Sequence, residues 1–104
     1  MAAQFVDFSV SESAEWHMLE KHDVTVEEAL EAAASTDLHR PTDSDPGTPL
    51  HAAEKRFMIP GKTESGRRLW VVVAYEGDGL ARILTAYEPL QNHDRVVHRR
   101  YRGD

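Results

Sequence analysis

The sequence predicts a single α+β domain spanning residues 1–104, in which two N-terminal helices pack on an antiparallel sheet of three or four strands and a C-terminal helix follows. Two helical periods before residue 36, three strand-like runs between residues 55 and 87, and an amphipathic stretch after residue 91 predict this order. Helices that precede a run of strands are typical of α+β proteins. With 104 residues, the chain is long enough for one modest core.

The segment Lys55–Tyr87 organises the rest of the chain. Its three runs are rich in β-branched and aromatic residues, and turn residues separate them at 60–66 and 77–79. This pattern predicts an antiparallel meander. Residues 69–74 are apolar at odd and at even positions, so both faces of the central strand should be covered. We expect the N-terminal helices on one face, and the C-terminal segment, a partner chain or a substrate cleft on the other.

The N-terminal region begins with alternating residues at Gln4–Val10, which allow a short strand. A first helix is predicted from Glu12 to about His22, capped by Ser9 or Ser11, with Trp16 and Leu19 on one face.

A second helix is expected to begin at Thr25, because Thr25 and Glu28 have the spacing of a capping box. It should end near Ser35. Small apolar residues along it form a stripe that would face the sheet.

The segment 36–53 is rich in Pro and Asp and has no sustained apolar period. Such a long stretch predicts a functional or poorly ordered loop, with a brief edge strand at Leu38–Arg40. After the meander, Asn92 to about Tyr101 is predicted to form an amphipathic helix.

The net charge of −6 is unevenly distributed. Residues 1–54 contain two basic and twelve acidic residues, whereas residues 55–104 contain ten basic and six acidic residues. An acidic total disfavours general nucleic-acid binding, although a local basic surface remains compatible with it. The chain contains no Cys, no apolar run of membrane-spanning length and no signal-peptide pattern, so we expect a cytoplasmic protein with no membrane association.

Two motifs fail when their spacing is checked. Pro60–Thr63 resembles the end of a phosphate-binding loop, but Arg56 stands where that motif needs its first Gly. The His pairs 17/22 and 93/98 are five residues apart, whereas a helical metal site needs four. We therefore expect neither a metal nor a cofactor.

Histidine and arginine residues near the predicted sheet suggest RNA cleavage without a metal. Such cleavage needs a base, an acid and cations that stabilise charge on phosphate. His22 can exchange a proton near neutral pH, and Arg56 and Arg82 begin two of the meander strands. The alternative reading is structural, because His stabilises helix C-termini and Arg commonly solvates strand ends.

The stretch Lys21–Ala29 resembles the "KHGVsfeEA" motif of BrnT-type toxins. Further blocks are similar in the same order: Glu54–Phe57, the turn from Gly61 to Leu69, Val71–Val73, and Arg82–Ala86 followed by a basic helix ending at Tyr101. The resemblance implies a RelE-like fold, an RNA-cleaving toxin activity and a DNA-binding antitoxin as protein partner. A homodimer is a further option.

The resemblance suggests His22, Arg56 and Arg82 as site residues, and the chemistry of the other side chains adds the remaining candidates. The catalytic candidates are His22, Arg56, Arg82 and Tyr87, and the substrate-binding candidates are Lys21, Arg68, Arg99 and Arg100. One departure stands out, because Tyr87-Glu88 occupies the place of an Arg pair in the family. That change removes attraction for RNA, although Tyr87 can donate a proton or stack on a base. The rival hypothesis is therefore a non-catalytic protein-interaction module on the same fold.

Overall fold

The computed structural model describes residues 5–41 and 55–103. The predicted α+β class is confirmed. The elements, in chain order, are β1 (Asp7–Val10), α1 (Glu12–His22), α2 (Val26–Ala34), β2 (Arg40–Pro41), β3 (Lys55–Lys62), β4 (Arg68–Gly77), β5 (Leu80–Tyr87) and α3 (Asn92–Arg102).

The sheet is larger than predicted and mixed rather than antiparallel. Its five strands have the order β1-β5-β4-β3-β2, and β1 pairs parallel to β5. The expectation of three or four antiparallel strands was wrong. Strand β1 precedes the helices in the chain but pairs parallel with β5, the last strand. The meander β3–β4–β5 itself is antiparallel, as predicted.

The first predicted break begins too early, because Pro60 and Gly61 lie inside β3, opposite Trp70 and Leu69. At Gly61 a Cβ atom would stand 2.5 Å from the carbonyl oxygen of Ala32 in α2. Glycine is therefore needed where the helix crosses the strand closely.

Helices α1 and α2 cover one face of the sheet. Their buried residues, including Met18, Ala29 and Ala32, form one core with Val71 and Val73 of β4. Both helix starts follow from their caps. Ser11 accepts from the amide of Ala14, and the predicted capping box between Thr25 and Glu28 is present.

The apolar face of α1 differs from the one that the sequence suggests. Ala14 and Met18 point into the core, whereas Trp16 is 63% exposed and Leu19 is 49% exposed. Trp16 and Leu19 therefore project away from the sheet, and Met18 is the large side chain that α1 contributes to the core.

Helix α3 lies on the opposite face of the sheet. Its buried residue is His98, whose Nε2 lies 3.0 Å from the carbonyl oxygen of Gly61 and 3.1 Å from that of Leu69. The His98 ring also contacts Trp70, with 5.0 Å between ring centroids. The sequence left three options for this face: the C-terminal segment, a partner chain or a substrate cleft. At the Trp70 end, the C-terminal segment covers the face.

Most of the predicted 36–53 loop lies outside the described residues. Within the described part, the short edge strand is Arg40–Pro41 rather than Leu38–Arg40. None of the helices in residues 5–41 and 55–103 has the length and apolarity needed to cross a bilayer.

Candidate functional site

His22 is the last residue of α1 and lies beside the end of β5. The helix stops there because Asp23 adopts a left-handed conformation with φ of 53°. The His22 ring contacts the Tyr87 ring, with 5.6 Å between centroids, and the His17 ring at 5.3 Å. Two of the candidate catalytic residues, distant in sequence, are thus neighbours.

The two rings border an open cleft of about 480 Å³. The C-terminal end of α1 forms one wall, and the residues that follow β5 form the other. The lining residues are Glu20, Lys21, His22, Asp23, Arg67, Tyr87, Glu88 and Leu90. A cleft of this size accommodates a small ligand or a single nucleotide.

The two rings have pKa values displaced in opposite directions. Burial, followed by the positive charges of His17 and Lys21, lowers the pKa of His22. Burial and the nearby carboxylate of Asp94 raise the pKa of Tyr87. At neutral pH, His22 is therefore a neutral base, and Tyr87 keeps its proton.

Arg67 fixes the walls of the cleft relative to each other. Its guanidinium donates to the carboxylates of Glu28 and Glu88, and to the carbonyl oxygens of Asp23 and His22. This bridge ties the end of β5 to the α1–α2 junction. The negative charge of Glu88 is paired with Arg67 rather than presented alone to the cleft.

Arg56 and Arg82 form a second group on the sheet. Arg56 of β3 and Arg82 of β5 both pair with Ala74, which stands between them on β4. Directly opposed residues share a face, so the two side chains leave the sheet on the same side, with backbones about 10 Å apart. Glu76 forms an ion pair with Arg82 at 3.3 Å.

Tyr87 and the two arginines lie on one face of the sheet but at different heights along the strands. Tyr87 pairs with Trp70, and Trp70 precedes Ala74 by four residues on β4. Even-numbered positions of a strand share a face and rise about 3.3 Å per residue. The row of Arg56 and Arg82 therefore lies about 13 Å along the strands from the row of Tyr87.

The remaining candidates occupy three positions. Lys21 lines the cleft next to His22. Arg68 places its Nη1 at 3.4 Å from the Nδ1 of His98, beneath α3. Arg99 and Arg100 are exposed on the outer surface of α3.

Sequence reasoning missed two residues that shape this region. Arg67 is not among the candidate residues predicted from the sequence, yet it is the bridge of the cleft. His98 was considered only for metal spacing, whereas it attaches α3 to the sheet. No feature of the sequence distinguishes His98 from the other polar residues of α3, so its burial could be seen only in the structure.

Comparison with known proteins gives no assignment, since no family model and no curated protein matches the chain. In the described part of the chain, no three His, Asp or Glu side chains are grouped so that they could hold a metal ion.

Proposed function

We propose that this protein is a metal-independent endoribonuclease of the toxin type, acting on RNA in the cytoplasm, with His22 and Tyr87 as its catalytic pair. The observation that carries the proposal is the contact between these rings in an open cleft, with 5.6 Å between centroids. Their opposite pKa shifts support separate roles as base and acid.

The reaction proceeds by attack of the neighbouring 2′-hydroxyl on the phosphorus. Neutral His22 removes the 2′-hydroxyl proton, the O2′–P bond forms, and the P–O5′ bond breaks. Tyr87 gives its proton to the departing 5′-oxygen and regains one from the protonated His22 through solvent. The products are a 2′,3′-cyclic phosphate and a 5′-hydroxyl, and no atom of a metal or cofactor takes part.

The arginines bind the RNA backbone away from the reacting phosphate in this proposal. Arg56 and Arg82 share the sheet face with Tyr87 but stand about 13 Å along the strands. Lys21 binds a phosphate at the cleft, and Arg99 and Arg100 on the exposed side of α3 bind the backbone outside it. The expectation that Arg56 and Arg82 stabilise the reacting phosphate directly is thereby replaced by a positioning role.

The layout of the elements supports a RelE-like, BrnT-type relationship. A helix pair, an antiparallel meander and a basic C-terminal helix follow in the order that the resemblance implies. The short strand allowed at Gln4–Val10 is present as β1, and its parallel pairing with β5 is the difference from the predicted layout. In this proposal the protein is neutralised by an antitoxin encoded beside it.

A second candidate function is a protein-interaction module without catalysis. The cleft contains three carboxylates, those of Glu20, Asp23 and Glu88, against the cations of Lys21 and Arg67. This balance repels phosphate and favours a basic protein segment.

Induced expression tests the two candidates against each other. If the protein is a ribonuclease, expression arrests growth and degrades cellular RNA, and co-expression of the adjacent reading frame restores growth. His22→Ala and Tyr87→Phe should each abolish the arrest. His93→Ala is the matched control, because His93 is exposed on α3 and does not line the cleft, and it should arrest growth like the wild type. An inert wild type at normal protein level would refute the nuclease and favour the interaction module.

A further inference from the structure

Helix α1 presents an apolar and acidic outer face. Trp16 and Leu19 are exposed by 63% and 49%. Both belong to a set of exposed residues spaced three or four apart, which share one side of the helix. This acidic face of α1 consists of Glu12, Glu15, Trp16, Leu19 and Glu20. An exposed Trp beside Leu is the kind of patch that marks a protein contact.

Helix α3 presents an outer face of the opposite charge. Its centre is Val96, which is 50% exposed. Exposed residues at the same spacing surround it, and the basic face of α3 consists of Asn92, Arg95, Val96, Arg99 and Arg100. The buried side of the helix, with His98, points into the sheet.

The two faces have the same size and opposite charge. Both helices have eleven residues. When Trp16 is aligned with Val96, Glu20 corresponds to Arg100, four residues further along each helix. In the same alignment, the acidic position 15 corresponds to the basic position 95. Each face therefore has an exposed apolar centre flanked by charged side chains, which are glutamates on α1 and arginines on α3.

One molecule cannot join its own two faces. Helix α1 packs on the sheet face that contains Val71 and Val73, whereas α3 packs on the face that contains Trp70. Their outer faces therefore point away from each other, on opposite sides of the sheet. Only a different molecule can bring a basic helix to α1.

We propose that the protein self-associates head to tail, the basic face of α3 of one copy docking on the acidic face of α1 of a second copy. Every copy contains both surfaces, so the complementary partner is present at the same concentration. Because the contact joins different surfaces, it generates a ring or an open chain rather than being limited to a dimer.

The contact should be weak and salt-dependent. Two helices of about 16 Å in length form a smaller interface than the roughly 1,200–2,000 Å² of stable complexes. Exposed ion pairs are screened as ionic strength rises. We expect dissociation constants in the micromolar to millimolar range, about tenfold weaker at 0.5 M than at 0.05 M salt.

Sedimentation velocity of the purified protein over a wide concentration range tests the proposal. The average mass should rise with concentration at low salt. The variant Glu15→Arg/Glu20→Arg should remain monomeric, and so should Arg99→Glu/Arg100→Glu. An equimolar mixture of these two variants should associate again, because each supplies the charge that the other lacks. Glu64→Arg, an exposed reversal in the β3–β4 turn, is the control and should associate like the wild type.

Three results would overturn the proposal: a monomer at every concentration, association that both reversal variants retain, or failure of the mixture to recover. Circular dichroism and melting temperature confirm that each variant is folded. The measurement contains no RNA, so its outcome is independent of the nuclease proposal. If both proposals hold, association covers Arg99 and Arg100 and competes with RNA for them.

Discussion

Arg67 shows how one side chain can organise a site without taking part in its chemistry. Its guanidinium contacts two carboxylates and two backbone carbonyls, which belong to three different parts of the chain. The planar fork of an arginine has enough donors for these acceptors, and a lysine does not. The carbonyl of His22 is one of the acceptors, so Arg67 acts on the candidate base by positioning.

Replacing Arg67 tests this bridge. Arg67→Ala leaves Glu28 and Glu88 as unpaired carboxylates and should lower the free energy of unfolding by about 1–2 kcal/mol, allowing for partial exposure. Arg67→Lys should recover only part of the loss. Arg100→Ala, at an exposed position, should change the free energy of unfolding by less than about 0.5 kcal/mol. Urea unfolding measures all three, and equal stability of Arg67→Ala and the wild type would refute the bridge.

His98 is a fully buried histidine whose neutral form the structure requires. Burial is the main cause that lowers its pKa, and the adjacent charges of Arg68 and Arg102 act in the same direction. The hydrogen bonds to the carbonyls of Leu69 and Gly61 oppose this shift only in part. The hydrogen bonds of the ring fit the neutral form of His98, because Nε2 donates to both carbonyls and Nδ1 accepts from Arg68.

The lowered pKa of His98 gives stability a definite pH dependence. The unfolded chain takes up a proton at this residue as pH falls below about 6.5, whereas the folded protein does not until its lower pKa is reached. The contribution is therefore complete above about pH 6.5 and declines as pH falls through that window. Urea unfolding between pH 5 and 7.5 should show this decline, and His98→Gln should weaken it. An unchanged slope in His98→Gln would contradict the assignment.

At the scale of elements, short-range patterns in the sequence predicted most of the helices, caps and strand turns. The bounds of α1, the Thr25 capping box and the antiparallel meander all follow from short-range spacing of residue types. The parallel pairing of β1 with β5 did not, because it joins segments about seventy residues apart. The direction of Trp16 was also missed, since periodicity places residues on a face without saying which face is buried.

The crossing of α2 over β3 depends on a glycine. A methyl group at Gly61 would stand 2.5 Å from the backbone oxygen of Ala32, which cannot move aside alone. Gly61→Ala should therefore separate the helix from the strand and lower stability by about 1–3 kcal/mol. Lys62→Ala is the control, because its backbone bond to Ser35 is kept. Thermal unfolding measures both, and a Gly61→Ala protein as stable as the wild type would contradict the close contact.

At the scale of the whole molecule, the two faces of the sheet carry different kinds of residue. The face under α1 and α2 is a continuous apolar core, and the opposite face bears Trp70, Arg56 and Arg82 with α3 across one end. Residue type alone suggested His22 and the two arginines as one site. The pairing of His22 with Tyr87, and their separation from the arginines, required knowledge of where α1 ends against β5.

The most direct test is RNA cleavage by the purified protein in the presence of EDTA. If the protein is this ribonuclease, the products end in a 2′,3′-cyclic phosphate, and a substrate with 2′-deoxyribose at the cleaved position stays intact. The rate should fall by roughly 10²–10⁴-fold in His22→Ala and remain at the wild-type value in His93→Ala. RNA left intact by the wild type, or cut equally fast by folded His22→Ala, would contradict the nuclease proposal.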